Sequence, residues 1–264
     1  MGVVSPSTDD QRVAGTQTIN RALSVLRVLR DATGDLGGAE IARAVGLHTS
    51  TTHRIVKALV AAGYVIQNER TERYRLGRES FLLGRAAGRT LGFDAALPLL
   101  ERLAEHTGES VNLVVRDGAE GVVVLRVESR QPLRFAQAVG ARIPLSCTSS
   151  GKVLLAFADD PPAEVARLGG LRSLTPTTIT APADLLADLR AIRVRGYSVN
   201  RGERIAGVCG VAAPLLDGAG PVTAAIAVQG PAIRLTEDHF PRFGALVMDT
   251  ARAVLDTLPT GYQI

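Results

Sequence analysis

Apolar positions near the start of the chain recur three and four apart. Ile19, Ala22, Leu23, Leu26 and Leu29 share one helix face, with Thr18 placed as an N-cap. Asp31 to Gly38 is a turn-rich break. A short helix over Ala39–Ala44 then carries Ile41 and Val45 inward, and Gly46 supplies the positive φ that ends it. The pattern predicts a third helix from about Thr49 to Ala62, buried through Ile55, Leu59 and Val60. Two short extended runs, Tyr64–Gln67 and Arg73–Leu76, flank the polar turn 68–72 and read as a hairpin. Residues 78–92 form a further helix weakened by Gly84, Gly88 and Gly92.

Beyond residue 93 the period alternates between helix and strand. Leu97–His106 reads as a helix ended by Thr107-Gly108. Ser110–Arg116 and Gly121–Val127 read as strands joined at Asp117-Gly118, and Leu133–Ala138 as another strand. Helices are expected from Ser149 to Ala158 and over Pro182–Arg195. Tyr197–Asn200, Gly207–Ala213 and Val222–Val228 read as strands, the last two joined by the turn at 217–220, and Thr236 to about Leu258 reads as a long terminal helix. Strands meeting at hairpins, with helices at both ends, make the fold class α+β around an antiparallel sheet.

Length and charge sharpen this picture. At 264 residues, 46% hydrophobic and 21% charged, the chain can build two ordinary globular domains. No uncharged apolar stretch is long enough to span a membrane, and the polar, acidic start is no secretory signal, so a cytoplasmic protein is expected. Two cysteines exclude a disulfide scaffold or a four-cysteine zinc site. Residues 12–92 hold 13 Arg or Lys against 6 Asp or Glu, a net of +7, while residues 93–264 hold 17 against 18, a net of −1. A basic module attracts phosphate by counterion release, with a plain solvated face as the alternative.

Helix, short helix, glycine turn, helix and hairpin is the order of a winged helix-turn-helix. The third helix opens on His48, Thr49, Ser50, Thr51, Thr52 and His53, short polar groups where a core helix would be apolar. A recognition helix needs such side chains against base edges and phosphates. Arg54 and Lys57 follow on one stripe, and Arg70 and Arg73 on the hairpin complete the DNA-facing set. The competing reading is a surface helix whose hydroxyls only bond its own backbone.

Three stretches carry a resemblance over about residues 16–260 to the IclR family of bacterial transcription regulators. They are TQTINRALSVLRVL followed by AEIARAVGLHTSTTHRIVKALVAAGYV and YRLG, then IPLSCTSSGKVLLA at 143–156, and GYSVNRGERIAGVCGVAAPLLD at 196–217. The resemblance implies a tail at 1–15, a winged helix-turn-helix at 16–77, a linker helix at 78–92 and a GAF-like effector-binding domain at 93–264. It implies operator DNA and a small effector as partners, assembly as a homodimer or dimer of dimers, no cofactor and no catalytic role. The family's pocket maps here onto Phe135, Ser149 and Ser150, Asn200 and Glu203, Gly210, and Ala227 with Gln229. Asn200, Gly210 and Leu216 depart from the usual residues, which leaves the fold intact and puts the effector in doubt.

Other chemistry finds less support in the residues. A hydrolase on the second domain would need Cys147 or Cys209 beside one of His48, His53, His106 or His239, which no spacing demands. No run has metal-ligand spacing. The helix start at Ser149, Ser150 and Gly151 offers free N–H groups to an anion, with a routine N-cap as the alternative and Lys152 as the only cation expected nearby. Gly210 and Ala227 remove side-chain volume there, and Phe135 and Leu145 would line the space. The expected effector is therefore a small organic acid with an aromatic body, controlling a repressor of a catabolic gene cluster.

Overall fold

A computed structural model describes residues 16–216 and 222–257. The expected N-terminal tail, the turn at 217–220 and the last residue of the terminal helix lie outside the described residues. The chain divides into two compact units, Met1–Ala87 and Gly88–Ile264, with the boundary inside a helix.

The first unit is built from α1 (Gln17–Asp31), α2 (Gly38–Val45), α3 (Thr49–Ala61), β1 (Val65–Gln67) and β2 (Tyr74–Leu76). Its core gathers Val25, Leu29, Ile41, Ile55, Val56, Val65 and Tyr74. Gly46 stops α2 at φ 66°, and its N–H and that of Leu47 return to carbonyls of the helix's last turn. The strands pair antiparallel, and Leu36 adds a bridge to Tyr74.

Three details differ from the sequence expectation. Thr16, not Thr18, precedes α1. The buried stripe of α1 runs through Val25 and Leu29 with Ala22 and Leu26 beside it, while Ile19 and Leu23 are 60% and 43% exposed. Apolar residues on α1 cover more of the helix than one packing face, and a spacing count cannot say which stripe the core takes. On α3, Thr52 and Val56 join Ile55 in the core, while Leu59 and Val60 only border it.

α4 (Arg78–Thr90) crosses the boundary and buries no residue. The second unit then runs α5 (Phe93–Thr107), β3 (Ser110–Asp117), β4 (Glu120–Val127), β5 (Arg142–Pro144), α6 (Ser149–Ala156), α7 (Pro161–Arg167), α8 (Pro182–Arg195), β6 (Ser198–Arg201), β7 (Val208–Pro214), β8 (Ala224–Pro231), a 3-10 turn at Glu237–His239 and α9 (Phe240–Leu255). Six strands form one antiparallel sheet in the order β5-β4-β3-β8-β7-β6. Alternation along each strand sorts the side chains. Val111, Leu113, Val211, Ile226 and Val228 meet α5 and α9 on one face. Ala225, Ala227 and Ala212 meet α6 and α8 on the other.

Leu133–Ala138 is irregular rather than a strand, and β5 follows it instead. Within that run only Gln137 is buried, beside Asn112, while Leu133 is 57% exposed, so its apolar residues mark neither a strand nor a core segment. α7 adds a helix beyond those the periodicity predicts; Asp160 caps it by accepting from the Ala163 N–H. Among the described residues no helix is long and apolar enough to cross a membrane.

Candidate functional sites

The first site is the outer face of α3. His48, Thr49, Ser50, His53, Arg54 and Lys57 are exposed and Thr51 is half-buried. Neither Arg54 nor Lys57 has an ion-pair partner among the described residues, so both charges are free to meet phosphate or a base edge. Thr52 departs from its neighbours. It is 1% exposed and its Oγ1 has no partner, so it packs in the core instead of facing outward. Helical rotation places it on the Ile55–Val56 side, which a run of like polar residues conceals.

The hairpin separates its two arginines. Arg70 is exposed at the tip, where its N–H and that of Thr71 donate to Asn68 Oδ1. Arg73 is spoken for: its Nε donates to the Asp35 carbonyl at 2.9 Å and its guanidinium meets Glu40 at 2.7 Å. That clamp ties the hairpin to the start of α2, where Glu40 also accepts from the Gly37 N–H.

The second site is a cleft between β6, β7 and the start of α6. Thr148 caps α6, its Oγ1 accepting from the Gly151 N–H at 3.0 Å and donating to the Pro144 carbonyl. The Gly151 N–H is therefore unavailable to a ligand, while the N–H groups of Ser149 and Ser150 have no partner among the described residues. A Cβ at Gly151 would run into the backbone of Leu145, which makes this glycine a close-packing residue. Asn200 donates from Nδ2 to the Cys147 carbonyl at 2.6 Å and accepts from the Glu203 N–H at 3.0 Å. Ser198 bonds the Ser149 carbonyl at 2.6 Å. Strand β6 thereby holds the mouth of α6.

Of the residues expected to form the pocket, Phe135, Ser149, Asn200, Gly210 and Gln229 border this cleft. Leu145, Ser150, Gly151, Glu203 and Ala227 do not. Leu145 and Ala227 belong to the core under α6, and Glu203 turns to Lys152. Lys152, 1% exposed, is the buried hub of a triad: its Nζ lies 2.6 Å from Glu203 and 2.7 Å from Asp188. It does not serve the cleft.

The roomy pocket inferred from Gly210 and Ala227 is corrected. A Cβ on Gly210 would lie 2.9 Å from Ser149 Oγ and 3.3 Å from Gln229 Cγ, so neighbouring side chains already occupy that space. The cavity measures about 20 Å³, room for a single water.

Arg204 also borders the cleft, and the sequence reading missed it. Burial lowers its pKa, against a small opposing effect of the Cys147 thiol, whose own pKa burial raises. The signal was available: between 200 and 207 two arginines flank a single acid, Glu203. Lys152 takes that acid and Arg201 pairs with Glu237, leaving Arg204 without one among the described residues. The cysteines give no support to a hydrolase. Both thiols are buried with raised pKa, and the groups acting on them include no histidine.

A small helix-turn-helix unit with an exposed polar and basic helix, joined to a sheet domain with a lined cleft, is the build of a DNA-binding transcription regulator. The family models agree. The IclR helix-turn-helix domain matches residues 18–69, and the bacterial transcriptional regulator IclR C-terminal domain matches 89–255. The chain belongs to the IclR family of transcription regulators. It is 34% identical over 246 residues to the HTH-type transcriptional repressor AllR of Escherichia coli K12, covering 92% of this chain and 91% of that one. Among solved structures, an IclR transcriptional regulator from Alicyclobacillus acidocaldarius superposes with a TM-score of 0.82 at 26% identity, covering 91% of this chain and 98% of that one. An IclR homolog from Microbacterium hydrocarbonoxydans, solved with 4-hydroxybenzoate, shares the fold with a TM-score of 0.78 at 24% identity, covering 91% and 98%.

Proposed function

We propose that this protein is a ligand-responsive repressor of a catabolic gene cluster, released from its operator by a small organic acid. The observation that carries the reading is the pairing, in one chain, of an unneutralised basic helix face with a separate polar cleft. Thr49, Ser50, Thr51, His53, Arg54 and Lys57, with Arg70 at the hairpin tip, form the DNA-reading set. Arg73 supports that set by bracing the hairpin. Repression follows the 34% identical AllR, which is named a repressor. The effector lies in the cleft beside Ser149, Asn200 and Gln229. A cavity of about 20 Å³ has to widen for any acid, and a compact one of a few carbons asks for less displacement of Phe135 or Ile205 than an aromatic one. The protein binds its operator as a homodimer or a dimer of dimers. Ile19 and Leu23 on α1 and Phe81, Leu82 and Leu83 on α4 are exposed apolar groups suited to pairing with a second copy.

Footprinting on the promoters next to its gene tests this, with acids added one at a time. Protection of a two-half-site operator, relieved by a compact acid, is expected. Protection that no added metabolite relieves would leave a DNA-binding protein and remove the effector from the proposal.

A further inference from the structure

We propose that Arg204 is the anion receptor of the cleft, so that the effector is held by a guanidinium rather than by the α6 N-terminus alone. This rests on the effector-responsive reading above and names the group that selects its ligand. Most arginines in the second unit have a carboxylate in reach: Arg116, Arg126, Arg130, Arg134, Arg142 and Arg234 all do. Arg204 has none. A half-buried cation without a counter-ion is costly to keep, and a ligand oxyanion would repair that cost.

The loop that carries Arg204 is fixed from two sides. On one, Asn200 Oδ1 takes the Glu203 N–H and Lys152 takes the Glu203 carboxylate at 2.6 Å. On the other, three threonine hydroxyls reach successive carbonyls of the loop. Thr177 bonds that of Arg201 at 3.0 Å, Thr175 that of Gly202 at 2.7 Å, and Thr178 that of Glu203 at 2.5 Å. Thr178 Oγ1 also accepts from the Leu174 and Thr175 N–H groups, which locks its rotamer. A receptor arginine works best when its backbone is already placed, because the ligand then does not bear the ordering entropy. Thr178 is thus a positioning residue. The guanidinium fork meets a carboxylate edge-on, while Phe135, Ile205 and Val208 offer apolar surface to the rest of the molecule beside the polar Ser149, Asn200 and Gln229.

The test compares an acid with its neutral amide: pyruvate with pyruvamide, and benzoate with benzamide. Binding is read by calorimetry and by thermal shift on the full-length protein, with operator binding followed in parallel. Wild type should bind pyruvate and ignore pyruvamide. Arg204→Gln should weaken the acid by about tenfold to a hundredfold and abolish the acid–amide difference, with ligand-free operator binding unchanged. Arg204→Lys, which keeps the charge, should keep part of that difference. Thr178→Val should reduce it and Thr178→Ser should restore it, a pattern that a merely destabilised domain would not give. The receptor is overturned if Arg204→Gln binds acid as wild type does, since the anchor then lies elsewhere in a still-responsive regulator. It is equally overturned if wild type binds no acid, or binds acid and amide alike. Release of the operator by a neutral ligand in those cases would leave the regulator reading standing without the receptor.

Discussion

Replacing Lys152 with Met should destabilise the second unit far more than any surface change. The wild-type ammonium is 1% exposed and neutralises Glu203, itself 5% exposed, and Asp188, 21% exposed. Met fills most of the same volume, so little cavity is created. What is lost is the counter-charge of a buried carboxylate that already has one oxygen, Oε2, without a partner. Breaking one side of a buried pair costs about 3–5 kcal/mol. For a unit of this size about 1 kcal/mol moves Tm by about 2–4 °C, so the transition should fall by about 6–20 °C in scanning calorimetry. The double variant Lys152→Met/Glu203→Gln removes the orphaned charge and should recover more than half of that fall. A single variant that loses under about 1 kcal/mol, or a double variant no better than the single, would refute the view that uncompensated charge sets the cost.

Four further outcomes are expected. Arg54→Ala should cost about 1–3 kcal/mol of operator affinity in gel-shift titrations and leave Tm nearly unchanged, because its side chain is exposed and has no ion-pair partner among the described residues. Thr52→Val should do the reverse, raising stability by about 1 kcal/mol in urea denaturation and sparing operator affinity, since its buried hydroxyl has no partner. Light scattering at micromolar concentration should give a dimer or larger, and Phe81→Glu should shift it toward monomer and weaken operator binding. The hydrogen bond from Arg116 holds the Glu164 carboxyl below its ordinary pKa. A depressed folded pKa adds stability above the unfolded value and loses it as pH falls through the folded one. The gap between wild type and Glu164→Gln, measured by thermal melts, should therefore narrow in acid and not in base.

The order of elements was legible because helix and strand periods are local. The α2–Gly46–α3 turn, the β3–β4 hairpin and α8 all follow from spacing and turn residues within a few positions. What spacing could not give was which stripe of α1 is buried, or that Thr52 turns inward amid five polar neighbours, since both depend on where the core lies. Leu133–Ala138 misled for the same reason: it is anchored by side chains, with Arg234 bonding the Leu133 carbonyl and Arg126 that of Gln137. In the cleft, the family motif located the strands and the helix mouth but not the facing of each side chain. Glu203 and Arg204 are adjacent, yet one enters the Lys152 triad and the other the cavity. Two absent side chains, at Gly210 and Ala227, read as empty space until the neighbours that fill it were placed.

The sheet order has a consequence for how the molecule is made. Its central pair joins β3 to β8, with Ser110 opposite Gln229, so the middle of the sheet closes only once most of the chain has left the ribosome. The first unit needs nothing beyond its own residues for its core and is complete early in synthesis. During elongation the nascent protein thus holds a finished DNA-reading module ahead of an open sheet whose β3 edge waits for its neighbour. A chain terminated before β8 would retain the reader and lose the sensor, giving a fragment that could compete for the operator and answer to no effector.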